Sequence, residues 1–71
     1  DNVVKCFVGH KVAADGQLTV TLRWLGYDRA HDTDEPAHQL AQDVPNLLEE
    51  YLRLHQGEGA IDRTLNQFFR A

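Results

Sequence analysis

Several residue classes are scarce in this sequence, and each shortage excludes something. Cysteine occurs once, at Cys6. A single thiol rules out an internal disulfide and a zinc site built from several thiolates. It also suits a reducing, intracellular setting, with Cys6 itself read as a small, half-buried strand residue. No apolar run approaches the roughly 20 residues that span a bilayer, so no membrane partner is expected. Positive charge is short: 7 Lys and Arg stand against 11 Asp and Glu, for a net charge of −4 and a pI near 5.4. Phosphate backbones would be repelled overall, which disfavours nucleic acid and favours a basic peptide. Length is also limited. A chain of 71 residues is one domain at most and buries only about 60% of its unfolded surface. A deep catalytic cavity is therefore not expected, and function should sit on a surface or in a shallow groove. No leader segment is visible, and a start at Asp1 is what a piece of a longer chain would show.

What remains is an ordinary globular composition, 42% hydrophobic and 25% charged with a mean hydropathy of −0.47. Val3 to Val12 is rich in β-branched and aromatic residues and reads as a strand, interrupted by Gly9, where a bulge or bend would let it curl. Asp15-Gly16 between two such runs signals a hairpin. Leu18 to Trp24 alternates cleanly: Leu18, Val20, Leu22 and Trp24 share one face, and Thr19, Thr21 and Arg23 the other. One face is buried and the other wet, as in an antiparallel sheet. Leu25-Gly26-Tyr27 makes a tight turn, Asp28 to Asp34 an exposed polar loop, and a short third strand is expected at Ala37-His38-Gln39-Leu40, at an edge because of Pro36.

A helix should begin near Asp43-Val44-Pro45-Asn46, with Asp43 or Asn46 as its cap. Val44, Leu47, Leu48, Tyr51 and Leu52 make its inward stripe, and Glu49 and Arg53 pair at i, i+4 on the outside. Gly57 and Gly59 stop it. The tail from Ala60 to Arg70 reads as an extra terminal helix, with Ile61, Leu65, Phe68 and Phe69 on one side. The expected fold class is α+β: a small, curled, three-stranded antiparallel sheet, a partial barrel, closed by a C-terminal helix. Residues 1–58 form the module, and 59–71 a helical C-terminal extension.

Chemistry-bearing clusters are absent from the pattern. His10, His31, His38 and His55 are scattered, with no pair at helical ligand spacing, and read as surface histidines. Asp28, Asp32, Asp34 and Glu35 lack the central glycine and terminal ligand of a calcium loop. Without a nucleophile–base pair or a ligand set, the reading is of a binding module with no metal and no cofactor, not an enzyme.

Three segments carry a resemblance. Leu22-Arg23-Trp24-Leu25-Gly26-Tyr27 resembles the chromodomain signature of a hydrophobic residue, a basic residue, Trp, any residue, Gly and Tyr. Thr33-Asp34-Glu35-Pro36 resembles that family's Thr-Trp-Glu-Pro, with Leu40 at the matching distance. Leu47-Leu48-Glu49-Glu50-Tyr51 resembles the start of its closing helix. No one motif is decisive, but their order and spacing are specific, and the match runs from about Val3 to about Gln56. The polar loop and the Val44-Pro45 helix start also look like chromodomains at the ends of retroelement polyproteins.

The resemblance implies a nuclear, chromatin-associated module that reads histone tails bearing methyl-lysine. The peptide would lie as an added strand between Asn2-Val3-Val4 and Ala37-His38-Gln39. Its methylammonium would enter an aromatic cage, where cation–π attraction replaces hydration. Trp24 and Tyr27 match two cage positions. The third falls on Asn2, which has no π face. The acidic residue that assists the cage would fall at His31, with Asp32 or Asp34 as substitutes. Two readings of Trp24 and Tyr27 stand side by side: periodicity places Trp24 with the core residue Leu22, and the resemblance places both in a cage. The alternative function is a degenerate chromodomain for protein–protein contact or homodimerisation, resting on Asn2, Asp34 and the apolar tail Ile61, Leu65, Phe68 and Phe69. Ordinary packing of that tail onto its own domain is the plainer reading.

Overall fold

The computed structural model describes residues 2–70. The elements run β1 (Val4–Val12), β2 (Leu18–Trp24), a short 3-10 turn (Arg29–His31), β3 (Thr33–Pro36), α1 (Ala37–Asp43), α2 (Pro45–Leu54) and α3 (Gly59–Phe69). The fold is the expected α+β class, an open three-stranded antiparallel sheet in the order β1-β2-β3 with helices packed on it. β2 is central because it alone alternates strictly: Leu18, Val20 and Leu22 are buried and Thr19 and Thr21 are half-buried.

β1 curls as its sequence suggests. Its register with β2 slips twice, between Val4 and Cys6 and between Phe7 and Gly9, leaving Lys5 and Val8 as extra residues. Each bulge adds local twist, which bends the strand over the core. The same slips turn Cys6 outward, so it is exposed and not half-buried. The β1–β2 hairpin closes through the Gly16 N–H on the Ala13 carbonyl, 2.9 Å, with Gly16 at φ 86.

The third strand is not where the sequence pattern put it. β3 is Thr33–Pro36, paired with β2 from Thr19↔Pro36 to Leu22↔Thr33. Ala37, His38 and Gln39 are helical, in α1. The stretch Ala37-His38-Gln39-Leu40-Ala41-Gln42 is made, His38 aside, of good helix formers and has no β-branched residue. Its apolar residues Ala37, Leu40, Ala41 and Val44 recur at helical spacing, and Ala37 and Leu40 are buried. Pro36, extended at φ −69, suits the junction.

α1 and α2 are divided at Val44. The residue before a proline avoids helical geometry, and Val44 sits at φ −139, ψ 58. Pro45 then occupies the first turn, where a missing N–H costs nothing. Neither Asp43 nor Asn46 caps α2: Asp43 is the last residue of α1, and no side chain caps the helix. Leu48 and Leu52 point inward, Val44 and Tyr51 are half-buried, and Leu47 is exposed, so the stripe is narrower than expected. The Glu49–Arg53 pair forms as read, at 2.8 Å. Gly57 lies beyond the end of α2, whereas Gly59 opens α3 and does not stop a helix.

The core draws on four elements. Leu18, Val20 and Leu22 of β2 meet Ala37 and Leu40 of α1, Leu48 and Leu52 of α2, and Ile61 and Leu65 of α3. Each fully buried leucine contributes about 1.5–3 kcal/mol. Thr64 is buried with them and donates its hydroxyl to the Ala60 carbonyl, 2.7 Å. Ile61 is 0% and Leu65 7% exposed, so both belong to the core of this domain. Phe68 and Phe69 are half-buried. Among the described residues, no helix is long and apolar enough to cross a membrane.

Candidate peptide-binding groove

Two adjoining hollows open where the N-terminal segment passes the end of β2. The first, about 290 Å3, is lined by Asn2, Trp24, Tyr27, His31 and Thr33. The second, about 280 Å3, is lined by Asn2, Val4, Leu22, Trp24, Glu35, Gln39, Leu40, Asp43 and Val44. Asn2 and Trp24 border both, so the two form one bent groove.

The walls of the first hollow are set by local chain geometry. Trp24 ends β2, where the Leu25 N–H donates to the Val3 carbonyl, 2.8 Å, and ties the N-terminal segment alongside. The Tyr27 N–H returns to the Trp24 carbonyl at 3.1 Å, closing a turn over Leu25 and Gly26. Gly26 lies at φ 87, a conformation that side chains with a Cβ resist. This turn is why a Trp and a Tyr three residues apart reach the same hollow. The Trp24 indole N–H donates to Thr33 Oγ1, 2.9 Å, which fixes the ring from the β3 side. Tyr27 stays 51% exposed. Trp24 is half-buried, packing on the core with part of its surface and lining the hollow with the rest.

The polar loop is not loose. Asp28 caps the 3-10 turn by accepting the Ala30 N–H at 3.1 Å, and its Oδ1 lies 3.0 Å from His31 Nδ1. That bond with His31, then the Ala30 N–H, holds the Asp28 carboxyl below its ordinary pKa. A carboxylate there calls for a proton on Nδ1, which leaves Nε2 of a neutral His31 as an acceptor. The His31 ring stands 5.2 Å from Tyr27, tilted by 53°.

Neither substitute acid serves the hollow. Asp32 receives the Arg23 guanidinium in a two-pronged pair, 2.6 and 2.9 Å, and the Arg23 hydrogen bond lowers its pKa. Asp34 is bound by Lys11 at 2.8 Å and by the Thr21 hydroxyl, and sits lowered for that reason. Both acids lock β3 and the loop to the outer face of the sheet.

The other half of the expected clasp changes character. Ala37 is buried, while His38 and Gln39 are exposed on a helix. A helical segment presents side chains to a groove, not a strand edge. Gln39 does line the second hollow, with its amide donating to Asp43 at 3.2 Å. Thr33 lines the first hollow and Glu35 and Asp43 the second, and none of the three was singled out from the sequence as a candidate binding residue. Glu35 and Thr33 were legible within the Thr33-Asp34-Glu35-Pro36 motif, but Asp43 was read as a helix cap.

Two of the four histidines do gather, away from the groove. His10 bridges Tyr51 Oη at 2.7 Å and Glu58 at 2.9 Å, and its ring lies 5.2 Å from His55. Burial, then the Glu58 charge, pushes the Tyr51 phenol upward. His10 lies 41 residues from Tyr51 and 48 from Glu58, so no spacing revealed its place in the group. Among the described residues, no group of three or more His, Cys, Asp or Glu is placed to hold a metal ion.

No protein-family model matches the chain, and no curated protein matches its sequence.

Proposed function

We propose that this domain is a peptide-binding module of the chromodomain type, without catalytic activity, that docks on chromatin in the nucleus by holding a histone tail at a methylated lysine. The observation that carries the reading is the convergence of Trp24 and Tyr27 on one hollow that continues, past Asn2, into a groove bearing Glu35 and Asp43. An aromatic pocket takes the methylammonium by cation–π attraction. A carboxylate-lined extension favours the basic residues around it.

The peptide would run from the hollow along Asn2 and Val3, using main-chain groups on that side. On the α1 side it would meet the side chains of Glu35, Gln39 and Asp43. With two aromatic walls at about 0.5–2 kcal/mol each, affinity should be modest. The other reading, contact with a second copy and no methyl-lysine recognition, keeps Phe68 and Phe69, which are half-buried, while Ile61 and Leu65 turn inward.

The test is an amide-shift titration with histone-tail peptides carrying methylated or unmodified lysine. Shifts at Val3, the Trp24 indole, Tyr27 and Gln39 that require methyl groups are expected. Trp24→Ala should lose them while its remaining amide spectrum stays folded. An absence of shifts at millimolar peptide would end the reading.

A further inference from the structure

We infer that the hollow prefers mono- and dimethyl-lysine over trimethyl-lysine, and that Asn2 is the residue that sets this preference. The inference rests on the methyl-lysine reading above and refines it.

The lining is split by chemistry. Trp24 and Tyr27 offer π faces, while Asn2, His31 and Thr33 offer polar atoms. A trimethylammonium carries no N–H and is best surrounded by aromatic faces alone. Against Asn2, His31 and Thr33 it makes no hydrogen bond. A dimethylammonium carries one N–H and a monomethylammonium two, and each can donate to an acceptor in the wall.

Acceptors are present on the polar side. The Asn2 amide has a carbonyl oxygen. A neutral His31 ring, its Nδ1 engaged by Asp28, leaves Nε2. Thr33 Oγ1 accepts one bond from Trp24 and keeps a second lone pair. The neighbouring carboxylates Asp32 and Asp34 are held by Arg23 and Lys11 and do not enter the hollow. Among the described residues the acceptors lining the hollow are therefore neutral, which calls for a preference of about fivefold, the value of one neutral hydrogen bond.

Asn2 is exposed and precedes β1, so it can be replaced without touching the core. Asn2→Tyr puts a third π face where an acceptor stood. The experiment is a fluorescence-anisotropy titration of the 71-residue chain and of N2Y with one histone-tail peptide in four forms: unmodified, mono-, di- and trimethyl-lysine. The wild type should bind the mono- and dimethyl forms about fivefold more tightly than the trimethyl form, and N2Y should reverse that order. Wild-type binding of the trimethyl form as tight as the dimethyl form overturns the inference and leaves the reader function standing. An N2Y variant with the wild-type order overturns the assignment to Asn2. Failure to bind any of the four forms overturns both this inference and the reading beneath it.

Discussion

Gly26 and Gly9 form a matched pair on which the turn argument can be tested. A methyl group added at either meets no heavy atom within 4 Å, so neither substitution to alanine creates a clash. They differ in backbone: Gly26 is held at φ 87, and Gly9 is not in the positive range. An L-residue in the left-handed region costs about 1–2 kcal/mol. Alanine in a strand also loses less entropy on folding than glycine does. Gly26→Ala should therefore destabilise the domain by about 1–2 kcal/mol, and Gly9→Ala should leave it unchanged or up to about 1 kcal/mol more stable. For a domain of this size total stability is about 4–10 kcal/mol, so the loss is readily measured. Each kcal/mol should shift Tm by roughly 4–8 °C. Urea unfolding should show the same change as a lower midpoint with unchanged slope. A Gly26→Ala variant as stable as the wild type would refute the claim that the turn needs positive φ. An equal loss in Gly9→Ala would show that chain flexibility, not the sign of φ, is at stake.

Two further outcomes follow from burial and charge. Leu52 and Leu54 lie two apart on α2, at 0% and 78% exposure. Leu52→Ala should cost about 2–5 kcal/mol and come close to unfolding the domain, while Leu54→Ala should stay within about 0.5 kcal/mol, both read by urea denaturation. On acidification the sign is set by Asp28, Asp32 and Asp34, whose carboxyls all sit below their ordinary values in the fold. Their contribution is complete above the unfolded carboxylate range and is lost as pH falls through the lowered folded values. Stability should therefore drop below about pH 4. Asp32→Asn should flatten that drop, and an unchanged pH profile in the variant would remove Arg23–Asp32 from the account.

The groove depends on a small number of distant constraints. The Val3 carbonyl holds the N-terminal segment against Leu25, Thr33 holds the Trp24 ring, and Asp28 holds His31 beside Tyr27. None of these residues is deeply buried, so the site can vary in chemistry while the core of β2, α2 and α3 keeps the scaffold.

Local pattern alone decided much of this protein. Strict alternation over Leu18–Trp24 set β2 and its buried face, because a strand's side chains have period two. Asp15-Gly16 and Gly26 set the turns, because only glycine takes positive φ without penalty. Helical spacing set α2 and α3, and the motif at Trp24-Leu25-Gly26-Tyr27 marked the hollow. Tertiary structure decided the rest. The segment after Pro36 became a helix because Ala37 and Leu40 could be buried against β2 and α2, which short-range reading from an edge proline does not anticipate. It turned Ile61 and Leu65 from a candidate interface into core, since exposure depends on what other elements cover. It also brought His10 to Tyr51 and Glu58, and Arg23 to Asp32, because such pairs are made across the fold and leave no period in the chain.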